Sequence, residues 1–597
     1  MYKLLLGNEA IAFGAIYGGV QVVTGYPGTP STEVLETISK NNTGRIYVEW
    51  SVNEKVALEV AAGASYAGAR TLVTMKQVGL NVATDPLMSL SYIGVKGGMV
   101  VLVADDPGPI SSQTEQDTRH FARFSNLPVF DPSSPEEAYD MIKVAFEISE
   151  QFELPVLFRP TTRICHSSTT MDISEFSESR NINKNLGFEK NSRWVIFPSL
   201  SYKKHIHIEE LQDEISNIFS ELKFNTILGK GRKGIVASGI AYSYAQEFIS
   251  TLKCDIKILK IATPYPFPRK LAHKFIDGLD ELLVIEELDP VIEESFLELA
   301  ANCDRKPTIY GKKTKYLPCA GEYSYEIVKS AIVKFLGIDE NITQVIPIPQ
   351  LPIRPPVLCA GCPHRAAFYA VKSALKKEKA VFTGDIGCYT LGNAKPLEMV
   401  DTCLCMGAGI TIAQGLQRIE PSTKHIAFIG DSTFFHSGIP GVINAVYNKT
   451  NITIVILDNS TTAMTGHQPH PGTGKTMMNN ISEKIDIYNL LVSCGINHIS
   501  KVNPFEQKKA IEAVRSAVDF TGPSALIFQA PCIAVAIPSN KQRIKENCLS
   551  CKKCINEIGC PAMHINNGEV LIENSLCYGC TLCSQVCNVN AIGGAEE

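Results

Sequence analysis

The sequence has little of what would place it outside the ordinary globular class. It has no low-complexity stretch and no short tandem repeat, which argues against a disordered polymer or a solenoid. Charge is neither abundant nor one-sided. Charged residues make up 20% of the chain and the formal net charge is -5, so no basic surface for nucleic acid is expected. The opening segment MYKLLLGNEAIAFGAIYGGV is apolar enough to imitate a signal peptide, but Asn8 and Glu9 interrupt it and no stop-transfer run follows. It predicts a core-facing first helix, and with it a cytoplasmic protein that has no membrane partner. At 597 residues the chain is too long for a single hydrophobic core, and roughly three to five domains are expected.

What the chain does have is cysteine, nineteen in all, which without a secretory route reads as thiols or metal ligands rather than disulfides. Cys548, Cys551 and Cys554 stand at two-residue intervals with Cys560-Pro561 beyond; Cys577, Cys580 and Cys583 repeat the spacing, and Cys587 follows. The pattern resembles the bacterial two-cluster ferredoxin module, in which the last cysteine of each run serves the other run's cluster. The resemblance implies one 4Fe–4S cluster on Cys548, Cys551, Cys554 and Cys587, and a second on Cys577, Cys580, Cys583 and Cys560. Two departures stand out: five residues rather than three precede Cys560, and Asn588 replaces the proline after Cys587. Paired CxxC also suits zinc, although no histidine stands at ligand spacing.

Along the rest, strand-like TLVTM and GGMVVLVAD alternate with helical EKVALEVAAGASYAGA to about residue 185, a parallel α/β pattern. Residues 186–230 read as a linker with one or two helices. A second α/β segment covers 231–345, and the proline-dense VIPIPQLPIRPPVLCAG reads as an extended connection. A third α/β segment spans 355–538 and the cysteine tail 540–597.

In the third segment, HIAFIGDSTFFHSGIPGVINAVYNKTNITIVILDNSTTAMTGHQ runs strand, Gly430-Asp431, helix, strand, Asp458-Asn459. A Gly-Asp at one strand end and an Asn one βαβ unit later resembles the thiamine-diphosphate enzymes. A diphosphate calls for a hard cation with oxygen ligands. By the resemblance, Mg2+ would be held by Asp431, Asn459 and the carbonyl of Thr461. Met406 in CMGAG matches the bulky residue under the cofactor, against a plain role as core filler. NEKVALEVAAGASYAGA resembles the pyrimidine-binding domain, and the match puts the glutamate that hydrogen-bonds the aminopyrimidine at Glu54. Glu49 and Glu59 compete for that role, and Glu54 could simply decorate a first helical turn.

GYPGTPSTEVLE resembles the YPxTPS segment of the 2-oxoacid:ferredoxin oxidoreductases, which places Thr29 against substrate and thiazolium; Ser31 and Thr32 could otherwise be helix caps. The same family holds a proximal cluster with a CxxC, a later GC and a late PCI, here Cys359, Cys362, Cys388 and Cys532. Cys165, Cys254, Cys303, Cys319, Cys403, Cys405 and Cys494 are left as inert core thiols. From end to end the chain resembles this family, which implies two thiamine-diphosphate-binding domains, 1–185 and 355–538, a transketolase C-terminal-like α/β domain and a small α+β ferredoxin domain. It also implies a smaller beta subunit, ferredoxin, coenzyme A and an arylpyruvate as partners. His364, Arg365, His436 and His467 lie inside the matching phrases and are expected either at substrate carboxylate or diphosphate or in structural hydrogen bonds. A thiamine decarboxylase with structural clusters, and a non-catalytic electron-transfer scaffold, remain the rival readings.

Overall fold

The computed structural model describes residues 2–172, 186–252, 254–338 and 351–594. The expected boundaries at 185 and 345 lie outside them. The chain divides into two compact units, residues 1–347 and 348–597.

The described residues of the first unit form two large sheets and one two-stranded pair. The larger sheet has six strands, all parallel, in the order Tyr47–Trp50, Val22–Gly25, Thr71–Lys76, Met99–Ala104, Val156–Phe158 and Val129–Phe130. The central strand MVVLVA is buried throughout, as an uninterrupted apolar strand must be when helices cover both faces. The opening segment forms the short strand Tyr2–Leu6, paired with Ser168–Asp172, and then helix Gly7–Tyr17, whose Ala10, Ile11, Ala12 and Ala15 are buried.

The second sheet has five strands in the order Thr308–Tyr310, Glu281–Ile285, Lys233–Ala237, Lys257–Lys260 and Thr226–Gly229, the last antiparallel. Thr226–Gly229 belongs to this sheet although it lies inside the expected linker. Most of that linker is a single helix, Pro198–Glu221, burying Ile208, Leu211, Ile215 and Phe219 along one stripe at three- and four-residue spacing.

Between the two sheets of this unit runs a buried ion network. Arg159 pairs with Asp105 at 2.7 Å and Asp131 at 3.2 Å; Arg119 pairs with Asp117 at 2.6 Å and Glu286 at 2.7 Å. Each arginine thus has carboxylates for counter-ions. Removing one side of such a pair strands the other in low dielectric, a cost of about 3–5 kcal/mol.

The second unit is built on five parallel strands in the order Ala380–Thr383, Lys424–Gly430, Thr453–Asp458, Ser524–Gln529 and His498–Val502. The cysteine tail adds two small antiparallel pairs, Gln542–Ile544 with Ile592–Gly594 and Met563–Asn566 with Glu569–Ile572, and the helices Lys553–Ile558 and Leu582–Val586.

Candidate active site

In the second unit, strands Lys424–Gly430 and Thr453–Asp458 are parallel neighbours with Gly430 opposite Leu457, so Asp431 and Asn459 emerge side by side at the carboxyl edge of the sheet. Asp431, Asn459 and Thr461 are all buried. The Asp431 carboxylate accepts from the amides of Ser432 at 2.8 Å, Asn459 at 3.1 Å and Ser460 at 2.8 Å, and Asn459 Oδ1 accepts from Thr461 N at 3.2 Å. A carboxylate, a side-chain amide and a nearby carbonyl are hard oxygen donors, the chemistry Mg2+ selects.

Around this loop stand residues that the sequence did not single out. Asp385 ends the neighbouring strand with its own Gly-Asp, and it accepts from the amides of Gly407 at 3.0 Å and Gly409 at 3.2 Å. Burial raises its pKa to about 6. It thereby fixes the turn after Met406, where Gly407 has φ 87°. Met406 is only half-buried, so it is not core filler within this unit. His470 lies with Nε2 3.2 Å from Asp431 Oδ2.

The four basic residues in the matching phrases separate. His364 Nε2 is 3.4 Å from Asn459 Nδ2, and burial lowers its pKa to about 4, leaving a neutral imidazole. His436 bonds Ser437 and His467 is exposed. Arg365 bonds backbone carbonyls near two of the cysteine sets, where it touches neither Asp431 nor Asn459.

Cysteines expected to act together lie together. Burial raises the Cys388 pKa to about 11, helped by the neighbouring thiols of Cys532 and Cys359, while burial pushes Cys362 up to about 12 with Cys359 adding to it. Cys532 N donates to the carbonyl of Asn459 at 3.0 Å, joining this set to the Asp431 loop. In the tail, burial and then Cys580, Cys560 and Cys577 push Cys583 up to about 12, so Cys560 sits with the second run despite following the first. Cys554 has Cys548 and Cys551 as neighbours, and Cys587 packs against the small core that includes Cys554. Amides of Gln542 and Ala591 point at the sulfurs of Cys577 and Cys587, at 3.4 and 3.3 Å.

The long loop before Cys560 is taken up as helix Lys553–Ile558, closed by Gly559 with φ 62°, and Asn588 accepts from Lys553 Nζ at 2.7 Å. Among the described residues, the group of ligand atoms lying within 4.8 Å of one another is Asp117, His120 and Asp289, with no cysteine in it. Of the seven thiols expected in the core, Cys165 is buried and Cys303 and Cys494 are half-buried. Cys254, Cys319, Cys403 and Cys405 are instead exposed, a correction that follows from their places in loops and turns.

In the first unit, Glu54 opens helix Glu54–Tyr66 and is 5% exposed. The cap of that helix is Asn53, whose Oδ1 accepts from Val56 N at 2.8 Å. The rivals are engaged elsewhere: exposed Glu59 pairs with Lys55, and Glu49 accepts from Tyr47 and Ser51. A Cβ on Gly79 would stand 2.6 Å from Glu54 Oε1, so glycine there makes room for the carboxylate. Lys76, at the end of its strand, is half-buried; burial lowers its pKa against the pull of Asp106 and Glu54. Its Nζ donates to Ser111 O, while Ser111 Oγ donates to Thr29 O at 3.2 Å, so Thr29 and Lys76 share a loop partner. Lys76 carried no sequence signal beyond its position at a strand end.

Residues 13–215 match the family described as pyruvate flavodoxin/ferredoxin oxidoreductase, thiamine diphosphate-binding, and residues 385–528 the thiamine pyrophosphate enzyme C-terminal TPP binding domain. Subunit IorA of indolepyruvate oxidoreductase from Archaeoglobus fulgidus is 40% identical over 99% of this chain and 97% of its own length. The Methanothermobacter marburgensis protein of the same name is 41% identical over 98% and 96%. A solved 2-oxoglutarate:ferredoxin oxidoreductase from Magnetococcus marinus aligns at 17% identity and TM-score 0.46 over 56% of this chain and 65% of that one. No helix among the described residues is long and apolar enough to cross a membrane. With identity near 40% sustained from end to end, and thiamine-binding matches in both units, the chain belongs to the thiamine-diphosphate-dependent indolepyruvate oxidoreductase subunit IorA family.

Proposed function

We propose that this chain catalyses the coenzyme A-dependent oxidative decarboxylation of aryl 2-oxoacids, indole-3-pyruvate first and also phenylpyruvate and 4-hydroxyphenylpyruvate. The products are the aryl-acetyl thioester and carbon dioxide, with two electrons passed singly to ferredoxin. It works as the alpha subunit beside a smaller beta subunit, in the cytoplasm. Thiamine diphosphate supplies the carbanion chemistry that breaks the bond next to a keto group, and the 4Fe–4S clusters accept single electrons.

The protein's own residues orient and switch. Asp431, Asn459 and the Thr461 carbonyl would hold Mg2+ for the diphosphate, with Gly430 ending the strand so that Asp431 faces the loop. Glu54 would hydrogen-bond the aminopyrimidine and hold or move a proton there; Thr29 would meet the substrate, and Met406 would support the cofactor. Cys359, Cys362, Cys388 and Cys532 hold the proximal cluster. Cys548, Cys551, Cys554 and Cys587 hold one tail cluster, and Cys560, Cys577, Cys580 and Cys583 the other.

One observation supports the reading: the Cys532 amide bonded to the Asn459 carbonyl ties one thiol of the proposed proximal set to the loop proposed for the diphosphate. A decarboxylase with no electrons to remove has no use for that adjacency. The test is viologen reduction by the anaerobic protein and its beta subunit with indolepyruvate, with and without coenzyme A. Reduction that depends on coenzyme A and yields a thioester is expected; aldehyde without viologen reduction would favour the decarboxylase instead.

A further inference from the structure

Two of the arginines buried among the described residues are paired with acids, Arg119 with Asp117 and Glu286, Arg159 with Asp105 and Asp131. Arg365 is the departure. It is 4% exposed, yet its guanidinium bonds are to carbonyls: Nη1 donates to Ile558 O at 2.8 Å and Gly559 O at 2.7 Å, and Nη2 donates to Leu358 O. Nε has no partner among the described residues. A cation taken out of water requires a counter-charge. Burial lowers its pKa, opposed by the neighbouring sulfurs of Cys560, Cys362, Cys580 and Cys359, two from each of two cysteine sets, which would carry the counter-charge as thiolate ligands.

The carbonyls it grips are informative. Leu358 immediately precedes Cys359, and Gly559 immediately precedes Cys560. Ile558 and Gly559 also close helix Lys553–Ile558, whose last carbonyls have no partner within the helix. One planar fork therefore fastens a loop of the proximal set to a loop of the tail set, a geometry that arginine supports and lysine does not. A second contact joins the same two cysteine sets through another loop of the tail: a Cβ on Gly361, between Cys359 and Cys362, would stand 2.5 Å from Tyr578, which lies between Cys577 and Cys580.

We infer that Arg365 is a positioning residue for electron transfer, bracing the Cys359/Cys362/Cys388/Cys532 site against the Cys560/Cys577/Cys580/Cys583 site and raising the reduction potential of both. The inference rests on the three-cluster reading above. A fixed positive charge favours the more negative, reduced cluster, and charge and hydrogen bonding near the sulfurs are established levers on cluster potential. The carbonyls that Arg365 grips adjoin Cys359 and Cys560, not the Cys548/Cys551/Cys554/Cys587 site, which serves as the internal reference.

The experiment uses the anaerobic complex with its beta subunit, as wild type, Arg365→Gln and Arg365→Lys. Iron analysis comes first: about twelve atoms per wild-type chain supports three clusters, and about eight would remove the reading itself before any variant is considered. EPR-monitored redox titration then follows each cluster, with Cys532→Ala used to identify the proximal signal. Arg365→Gln is expected to keep its iron and to shift two clusters at least tenfold toward the oxidised form, about 59 mV for one electron, leaving the third unchanged. Arg365→Lys should restore those potentials but not the wild-type spin coupling between the two sites. Equal shifts in all three clusters, no shift in any, a lysine variant as displaced as the glutamine one, or loss of iron from both variants would each overturn the inference.

Discussion

The amide of Cys532 donates to the carbonyl of Asn459 across 3.0 Å. One residue is a candidate iron ligand and the other a candidate magnesium ligand, and a single backbone hydrogen bond separates their roles. Replacing the thiol leaves that bond in place, so Cys532→Ala should cost about four iron atoms per chain while thiamine diphosphate still binds. Iron analysis beside a cofactor-binding isotherm reads both. Unchanged iron would remove the proximal cluster.

The Glu54 carboxylate fits against Gly79 so closely that a Cβ there would stand 2.6 Å from Oε1. Glu54→Gln should lower turnover with an arylpyruvate by about 10²–10⁴-fold with the fold intact. Gly79→Ala should misplace an unaltered carboxylate and give an intermediate loss. A Glu54→Gln enzyme within a few-fold of wild type would end the assignment.

Asp431 anchors its loop through three amides, and asparagine can preserve part of that pattern while removing the charge. Asp431→Asn should therefore weaken Mg2+-dependent binding of thiamine diphosphate by at least about tenfold, ~1.4 kcal/mol, with little change in melting temperature. Calorimetric titration with and without magnesium gives the answer, and equal affinity would exclude Asp431 as a ligand.

Glu287 gives a pH dependence that belongs to folding rather than chemistry. Burial raises its pKa from 4.5 to about 7, opposed by the Tyr323 amide that donates to it at 2.9 Å. Between those values the folded chain keeps the proton and the unfolded chain releases it, so stability falls as pH rises through this window and levels off above it. The loss is on the order of 3 kcal/mol. Glu287→Gln should flatten this contribution, and thermal melts at pH 5 and pH 7.5 would show the variant gaining on wild type at the higher pH.

Much of this was legible in the residues because periodicity and spacing are local. The two-residue cysteine intervals and the paired strand ends at Asp431 and Asn459 are written in order along the chain. The choice of Glu54 over Glu49 and Glu59 rested on the resemblance alone, because all three are acids near one helix start and differ in burial and bonding partners only once folded. Asp385 offered a signal, a second Gly-Asp after a strand, but its partners Gly407 and Gly409 are more than twenty residues further along. His470 offered less, since its approach to Asp431 depends on how a long loop returns to the sheet. The helix Pro198–Glu221 was readable from the apolar stripe in HIHIEELQDEISNIF; only its length made it a packed element rather than a connector.

The start of helix Pro363–Ala374 carries Cys362, His364 and Arg365 in four consecutive positions, directed to the thiol set, the Asn459 loop and the tail. Each added residue turns a helix by about 100°. An insertion of one amino acid there would rotate all three headings at once, so the tail cannot be exchanged as an independent cassette. Chimeras that graft a foreign ferredoxin onto this scaffold should be cut to keep CPHR in phase with carbonyls that can receive it.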